Sequence, residues 1–252
     1  MFETFRNAWK VEELRKRILY TLLILVIFRL GCAVPVPYVD ASVLSAWFGT
    51  GNMLDYLNMM SGSALSQCTL FALGVAPYIN SSIIIQLLTV AIPALERLSK
   101  EGEEGRRKLT RITKYVSGGI ALGMAVGYYF VLRSLGALSV TGWQAWFEAV
   151  VIILCFTAGA QLTTFLGEQV DVKGIGNGVS LLIFTGIIAN WSNVVTAVNS
   201  ILTKAATQPL YYLAFPGVVI LALAAVVFVV ILTNAERRLP VQYAKRVVGR
   251  KM

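Results

Sequence analysis

The 252-residue chain contains no histidine, and only 14% of its residues are charged. Without histidine it lacks the commonest general base and the commonest metal ligand, so membrane-embedded metalloproteases and Ser/His hydrolases are poor readings. With 57% of its residues hydrophobic, a soluble domain of this length would expose too little polar surface to stay dispersed, and a bilayer is the solvent that fits the composition. Cysteine is scarce. Cys32, Cys68 and Cys155 lie in or beside apolar stretches, at spacings that suit neither a zinc site nor a stapled secreted domain, and read as small packing residues. A phosphate-cradling motif is missing as well: Gly174-Ile-Gly-Asn-Gly178 is not followed by Gly-Lys-Ser/Thr, and its local reading is a turn with Asn177 capping the next helix. The first residues are polar and amphipathic with no small-residue cleavage site after the following apolar run, so a signal peptide is not expected. Residues 1–17, with Phe2, Phe5 and Trp9 set against Arg6, Lys10 and Arg17, fit a cytoplasmic helix lying in the interface.

What the chain does have is long apolar runs. A helix needs ~20 apolar residues to cross a bilayer core, and six segments qualify: 18–36, 76–95, 115–136, 145–166, 179–201 and 211–234. All but Arg29, Arg133 and Lys204 of the 22 Lys and Arg fall in the N-terminal segment, the loops after spans two and four, and the tail. The positive-inside rule therefore places both termini in the cytoplasm with an even number of crossings between them. That topology, with contact to anionic lipid, accounts for the net charge of +9. Arg29, inside span one, is costly there and should face protein or water, for a functional or a packing reason alike.

Between spans one and two, residues 35–75 form an extracytoplasmic stretch. Its last part, 61–73, is apolar and helix-competent but reaches only about 20 Å, short of the ~30 Å core. Gly74 and Pro77 then interrupt helical continuity before Ile83-Ile84-Ile85. Span two therefore reads as a broken helix, a short piece entering from outside and a longer one continuing to the cytoplasm. Broken helices occur where backbone is buried in protein or lines a water-filled path, and a kinked packing helix is the plainer alternative.

Several motifs carry a family resemblance. Asn58-Met-Met-Ser-Gly-Ser-Ala-Leu-Ser66, Phe71-Ala-Leu-Gly-Val-Ala-Pro-Tyr-Ile79 and Ile83-Ile-Ile-Gln-Leu-Leu88 resemble the plug and second helix of bacterial SecY channels. Lys100-Glu-Gly-Glu-Glu-Gly-Arg-Arg-Lys108 is similar to their second cytoplasmic loop. Leu166-Gly-Glu-Gln169 with Gly174-Ile-Gly-Asn-Gly178 is similar to the end of helix four and the turn into helix five. Glu236-Arg-Arg238 with Gln242-Tyr-Ala-Lys-Arg246 resembles the start of the large loop after helix six. The matches run in family order from residue 29 to the end.

The resemblance implies an all-α polytopic membrane protein of six transmembrane helices. The first inverted-repeat half of a channel would take up 18–201, including a short re-entrant plug helix at about 58–70; helix six would take up 202–235, and 236–252 would begin a basic cytoplasmic loop. Such channels comprise two halves of five helices, so the second half would come from a longer chain or another one. By motif position the pore ring is Val75, Ile79, Val179 and Ile183, and the plug includes Ser61, Gly62, Ser63, Ala64 and Leu65, the first four giving it a small and weakly anchored surface. The sideways gate lies on spans two and three, with Asn80, Ile83 and Gln86 facing a signal sequence. Arg106, Arg107, Lys108, Arg237, Arg238, Lys245, Arg246 and Arg250 would dock the SecA motor or the ribosome through rRNA phosphates. Implied partners are SecE and SecG, SecA, the ribosome, unfolded preproteins with their signal sequences, and lipid. No cofactor and no catalysis is implied, and the place is the bacterial inner membrane.

Spacing adds one support. Val75 and Ile79 are four apart, as are Val179 and Ile183, so each pair can share a helix face. Hydropathy starts span five at Val179, near the cytoplasmic interface, so the pairs meet only if 174–178 dips into the membrane zone. Ile79 and Ile183 are therefore expected to approach each other, with Gly176 and Asn177 wetted. On composition alone each of the four is an ordinary packing residue. A secondary transporter of a small solute is the competing reading, since it too uses broken helices. It normally carries mid-span ionisable residues, which are scarce here beyond Arg29 and the interfacial Glu148. An intramembrane enzyme is the third reading, disfavoured by the lack of histidine.

Overall fold

The computed structural model of the chain describes residues 11–47, 58–59, 61–138, 144–191, 195–196, 198–199, 203 and 210–235. The chain divides into two compact units, Met1–Ser192 and Asn193–Met252. In the first unit the helices are α1 (Glu12–Gly31), α2 (Ala41–Trp47), α3 (Ala76–Ala91), α4 (Pro93–Lys100), α5 (Glu103–Ser134), α6 (Ala145–Lys173) and α7 (Gly178–Ala189); in the second, α8 is Leu210–Asn234. Among the described residues, β pairing is limited to two isolated bridges, Pro35–Thr69 and Val39–Leu138.

Helices stand at all six expected span positions, with different ends. α5, α6 and the Pro216–Asn234 part of α8 are long and apolar enough to cross a membrane, and α3 with α4 would make a fourth span if that bent pair is one. α1 is helical from Glu12, so the charged residues 12–17 run straight into the first span; its first turn carries Glu12 and Glu13, which suit the positive end of the helix dipole and pair with Lys16 and Arg17. Span two ends at Ala91 rather than at residue 95. Ile92 is extended, as a residue before proline prefers, Pro93 opens α4, and the two helices meet at 102°. The loop expected at 100–108 shrinks to Glu101 and Gly102, and α5 begins at Glu103, twelve residues before hydropathy marks the span.

α5 packs against α3 and α6, and α6 also meets α1 and α7. Outward faces stay apolar: Leu23 and Val26 on α1, Phe130 on α5, Leu154 on α6, Phe184 on α7. Such a belt suits hydrocarbon and not water. Inside are two apolar clusters. One gathers Leu44, Leu65, Tyr128, Leu132, Ile152 and Phe156; the other gathers Ile24, Phe28, Phe71, Val75, Val170 and Leu182. Both include residues of segment 61–75, which is enclosed by α1, α5, α6 and α7.

That segment is wound in successive turns, not in the regular short helix expected at 58–70. Gly62, Ser63, Cys68 and Gly74 all have positive φ, between 50° and 68°, which interrupts any right-handed run. Its backbone groups bond sideways instead: Val36 N donates to Cys68 O at 2.9 Å, and Leu70 N to Val34 O at 2.9 Å. The segment also lies directly on α6. A Cβ on Gly159 would sit 1.8 Å from the Leu70 carbonyl oxygen, so glycine is what allows this approach.

Candidate functional site

The four aliphatic residues expected at a pore ring all belong to one apolar cluster. Val75 is buried in the second apolar cluster, and Ile79, Val179 and Ile183 pack against it as half-buried members. Ala64, fully buried, belongs to the same cluster. Val75 and Ile79 stand at the start of α3, which begins once Gly74 (φ 53°) has turned the chain; Pro77 costs nothing there because first-turn N–H groups have no helical partner.

Val179 and Ile183 reach the cluster because the start of α7 is tied to two other helices. Asn177 caps α7 as expected, its Oδ1 accepting from Ser180 N at 3.0 Å. Gly178 N donates to Asp171 Oδ1 of α6 at 2.6 Å, and Ile175 N donates to Thr21 Oγ1 of α1 at 3.1 Å. Gly176 and Asn177 are exposed. Between α5 and α6, Lys114 Nζ meets Glu168 Oε2 at 2.6 Å, and between α1 and α6, Tyr20 OH donates to Gln169 Oε1 at 3.4 Å.

The expected weak anchorage of Ser61–Leu65 is corrected by the hydrogen bonds. Ser61 Oγ donates to Asn58 O at 3.0 Å and accepts from Leu65 N at 3.3 Å. Arg29 Nη1 donates to Gly62 O at 3.4 Å, which gives the costly cation of α1 a protein partner. Ser63 Oγ donates to Asn190 Oδ1 at 2.6 Å, and Asn190 Nδ2 donates to Met59 O at 3.2 Å. Tyr128 OH donates to Leu65 O at 2.6 Å. Small residues let the segment fit closely, and the same closeness puts its polar groups within reach of α1, α5 and α7. A Cβ on Gly62, at φ 68°, would lie 3.1 Å from Gly186 Cα of α7. Ser63 shares that left-handed conformation without being glycine, a cost of about 1 kcal/mol. Tyr128 and Asn190 were not singled out by sequence reasoning; Tyr128 is a hydroxyl-bearing residue within an apolar helix and Asn190 ends one, the signal that could have found them.

The residues expected at a sideways gate do not join this cluster. Asn80, Ile83 and Gln86 are spaced by three along α3 and exposed, Ile83 by 51%. They mark an open face of the helix. Arg106, Arg107 and Lys108 are exposed on the first turns of α5. Arg107 pairs with Glu103 at 3.6 Å, and Lys108 with Glu104 at 3.3 Å and Glu101 at 3.8 Å. Arg106 lines a shallow basic groove with Arg111 and Lys114. Arg237, Arg238, Lys245, Arg246 and Arg250 lie outside the described residues.

A family model for SecY matches residues 69–252. The chain is 41% identical to the protein translocase subunit SecY of Streptomyces coelicolor, an alignment taking in 100% of this chain and 59% of that protein. It is 38% identical to the subunit of Thermus thermophilus, over 100% of this chain and 58% of that one. With the subunit of Buchnera aphidicola it shares 39% identity over 95% of this chain and 67% of that one. The chain thus spans about three-fifths of the first two relatives' length. Among solved structures, a protein-conducting channel and the Sec61 of a canine ribosome–channel complex from the endoplasmic reticulum each superpose with a TM-score of 0.50 at 22% identity, over 68% of this chain and 36% of theirs. At that identity the likeness speaks for the fold alone. The apolar helices and these relatives together make this a multi-pass membrane protein, and the chain belongs to the SecY family.

Proposed function

We propose that the chain forms the first part of a protein-conducting channel in the bacterial inner membrane. It would pass unfolded secretory proteins across the bilayer and release membrane segments sideways. The observation that carries this reading is the convergence of Val75, Ile79, Val179 and Ile183 in one cluster with Ala64 of segment 61–75. A ring of short branched side chains blocks ions by dewetting and can retract around a passing chain of any sequence. Segment 61–75 seats against it as the plug. Asn80, Ile83 and Gln86, exposed on α3, face the gate through which a signal sequence leaves.

The chain does no chemistry in this reading and carries no cofactor. Energy comes from SecA or from the translating ribosome, SecE and SecG complete the complex, and both termini lie in the cytoplasm. The cytoplasmic arginines and lysines meet acidic motor surface or rRNA phosphate.

Reversing Arg237, Arg238, Lys245 and Arg246 together is expected to weaken SecA or ribosome binding and to slow preprotein transport in membrane vesicles. The loss is larger at low salt, because exposed charges are screened within ~10 Å at 0.1 M. Reversing Arg106, Arg107 and Lys108 has a smaller effect, since Glu103, Glu104 and Glu101 already neutralise two of them. Unchanged binding at low salt would leave these residues as topology signals only.

A further inference from the structure

We infer that Asn190 is a latch residue that holds segment 58–66 in its seat and couples its release to movement of α7; this rests on the channel reading for what the release accomplishes. Asn190 is the C-cap of α7 and is 8% exposed. Its buried amide spends both of its polar atoms on the same segment: Oδ1 accepts from Ser63 Oγ at 2.6 Å and Nδ2 donates to Met59 O at 3.2 Å. Breaking the contact leaves a buried amide and the Ser63 hydroxyl without partners, while Met59 O keeps its bond from Gly62 N at 3.2 Å, so the pair behaves as one two-pronged fastening.

Ser63 supplies an independent sign of use. It sits at φ 68°, where glycine is at ease and serine is not, as neighbouring Gly62 illustrates at the same angle. A serine kept in an unfavourable conformation with its hydroxyl 2.6 Å from a buried acceptor is there for that hydroxyl. The fastening also joins two elements that must part. Ile183 of the ring lies on α7 two turns before Asn190, so α7 cannot swing outward to widen the ring without dragging the segment or breaking the latch. Tyr128 holds the segment from α5 at Leu65 O.

Cys68, buried in segment 61–75 just beyond the latched residues, is the native reporter, and Cys155, half-buried on α6, is the reference thiol. In native membranes containing the full-length protein, N-ethylmaleimide labelling is followed at each thiol by peptide mass spectrometry. Asn190→Ala is expected to raise the Cys68 labelling rate about tenfold, for the loss of two hydrogen bonds to part-buried groups, with Cys155 unchanged. Ser63→Ala gives a smaller rise that nearly vanishes in the Asn190→Ala background. Ser63→Gly gives less than Ser63→Ala, because it also relieves the left-handed strain, and Asn190→Asp, which keeps the acceptor for Ser63, falls between wild type and Asn190→Ala. An unchanged Cys68 rate in Asn190→Ala overturns the latch, as do single effects that multiply independently or a parallel rise at Cys155. Labelling reads the seat and not transport, so a membrane that labels as expected yet moves no preprotein would count against the channel reading alone.

Discussion

Leucine in place of Gly159 is expected to prevent the protein from accumulating in the membrane, and alanine there to lower its stability sharply. A Cβ at this position would lie 1.8 Å from Leu70 O and 2.8 Å from the Leu70 carbonyl carbon. Both are backbone atoms, so no side-chain rotation relieves the clash; either segment 61–75 lifts off α6 or α6 leaves α5. Overpacking in a well-filled core costs about 1–3 kcal/mol per substitution and sometimes more, and leucine brings three further carbons into the same space. Against a total stability of about 5–15 kcal/mol, ~3 kcal/mol or more is decisive. Gly119 of α5 is the control, because nothing lies within 4 Å of a Cβ placed on it. Gly119→Ala is expected to be neutral or to stabilise by up to about 1 kcal/mol, the helix-propensity gain. Thermal unfolding in detergent and abundance in membranes read both variants. Equal midpoints for the two alanine variants would show that segment 61–75 does not rest on α6.

Serine at both Ile79 and Ile183 is expected to make the resting channel leak ions. The two residues belong to one apolar cluster, and each is only half-buried, so each side chain presents apolar surface beyond its packing contacts. A constriction of branched aliphatic groups resists wetting, and hydroxyls lower that resistance. Burying an isoleucine is worth about 1.5–3 kcal/mol, so a fall of ~1.4 kcal/mol in the hydration barrier is a modest demand on two substitutions and gives about a tenfold rise in conductance. Ile83→Ser, on the open face of α3, leaves resting conductance unchanged. Planar-bilayer recordings of the assembled channel measure this directly. A double variant as tight as wild type would remove these residues from the ring.

The helices were legible because lipid-facing runs are long and apolar. Their ends were less so, because hydropathy reports where a helix suits lipid and not where it stops. Residues 103–114 are too charged for hydrocarbon, yet Glu, Arg and Lys favour helix and pair one turn apart, as Arg107 does with Glu103, so α5 runs through them. At the end of span two the signal was present in Pro93 and was outweighed by the apolar residues on either side. Segment 61–75 misleads for another reason. Its Ser, Ala and Leu content is helix-compatible, while the left-handed conformations of Ser63 and Cys68 have no sequence signature and exist only because neighbouring helices hold them. The same holds for its anchors: Asn190 and Tyr128 lie 127 and 63 residues from the groups they bond, a separation no local pattern encodes. The four residues assigned to the ring were reached through motif resemblance, and the spacing of four added only that each pair could share a face.

On the channel reading, a translocating chain passes between Ile79 and Ile183. A photo-reactive amino acid placed in turn at these two positions, and at outward-facing Leu154 and Phe184, tests it in membranes where a preprotein has been arrested midway by a folded C-terminal domain. Preprotein adducts that depend on arrest are expected from Ile79 and Ile183, and none from Leu154 or Phe184. Adducts of equal yield at all four positions, or none at Ile79 and Ile183, would contradict it.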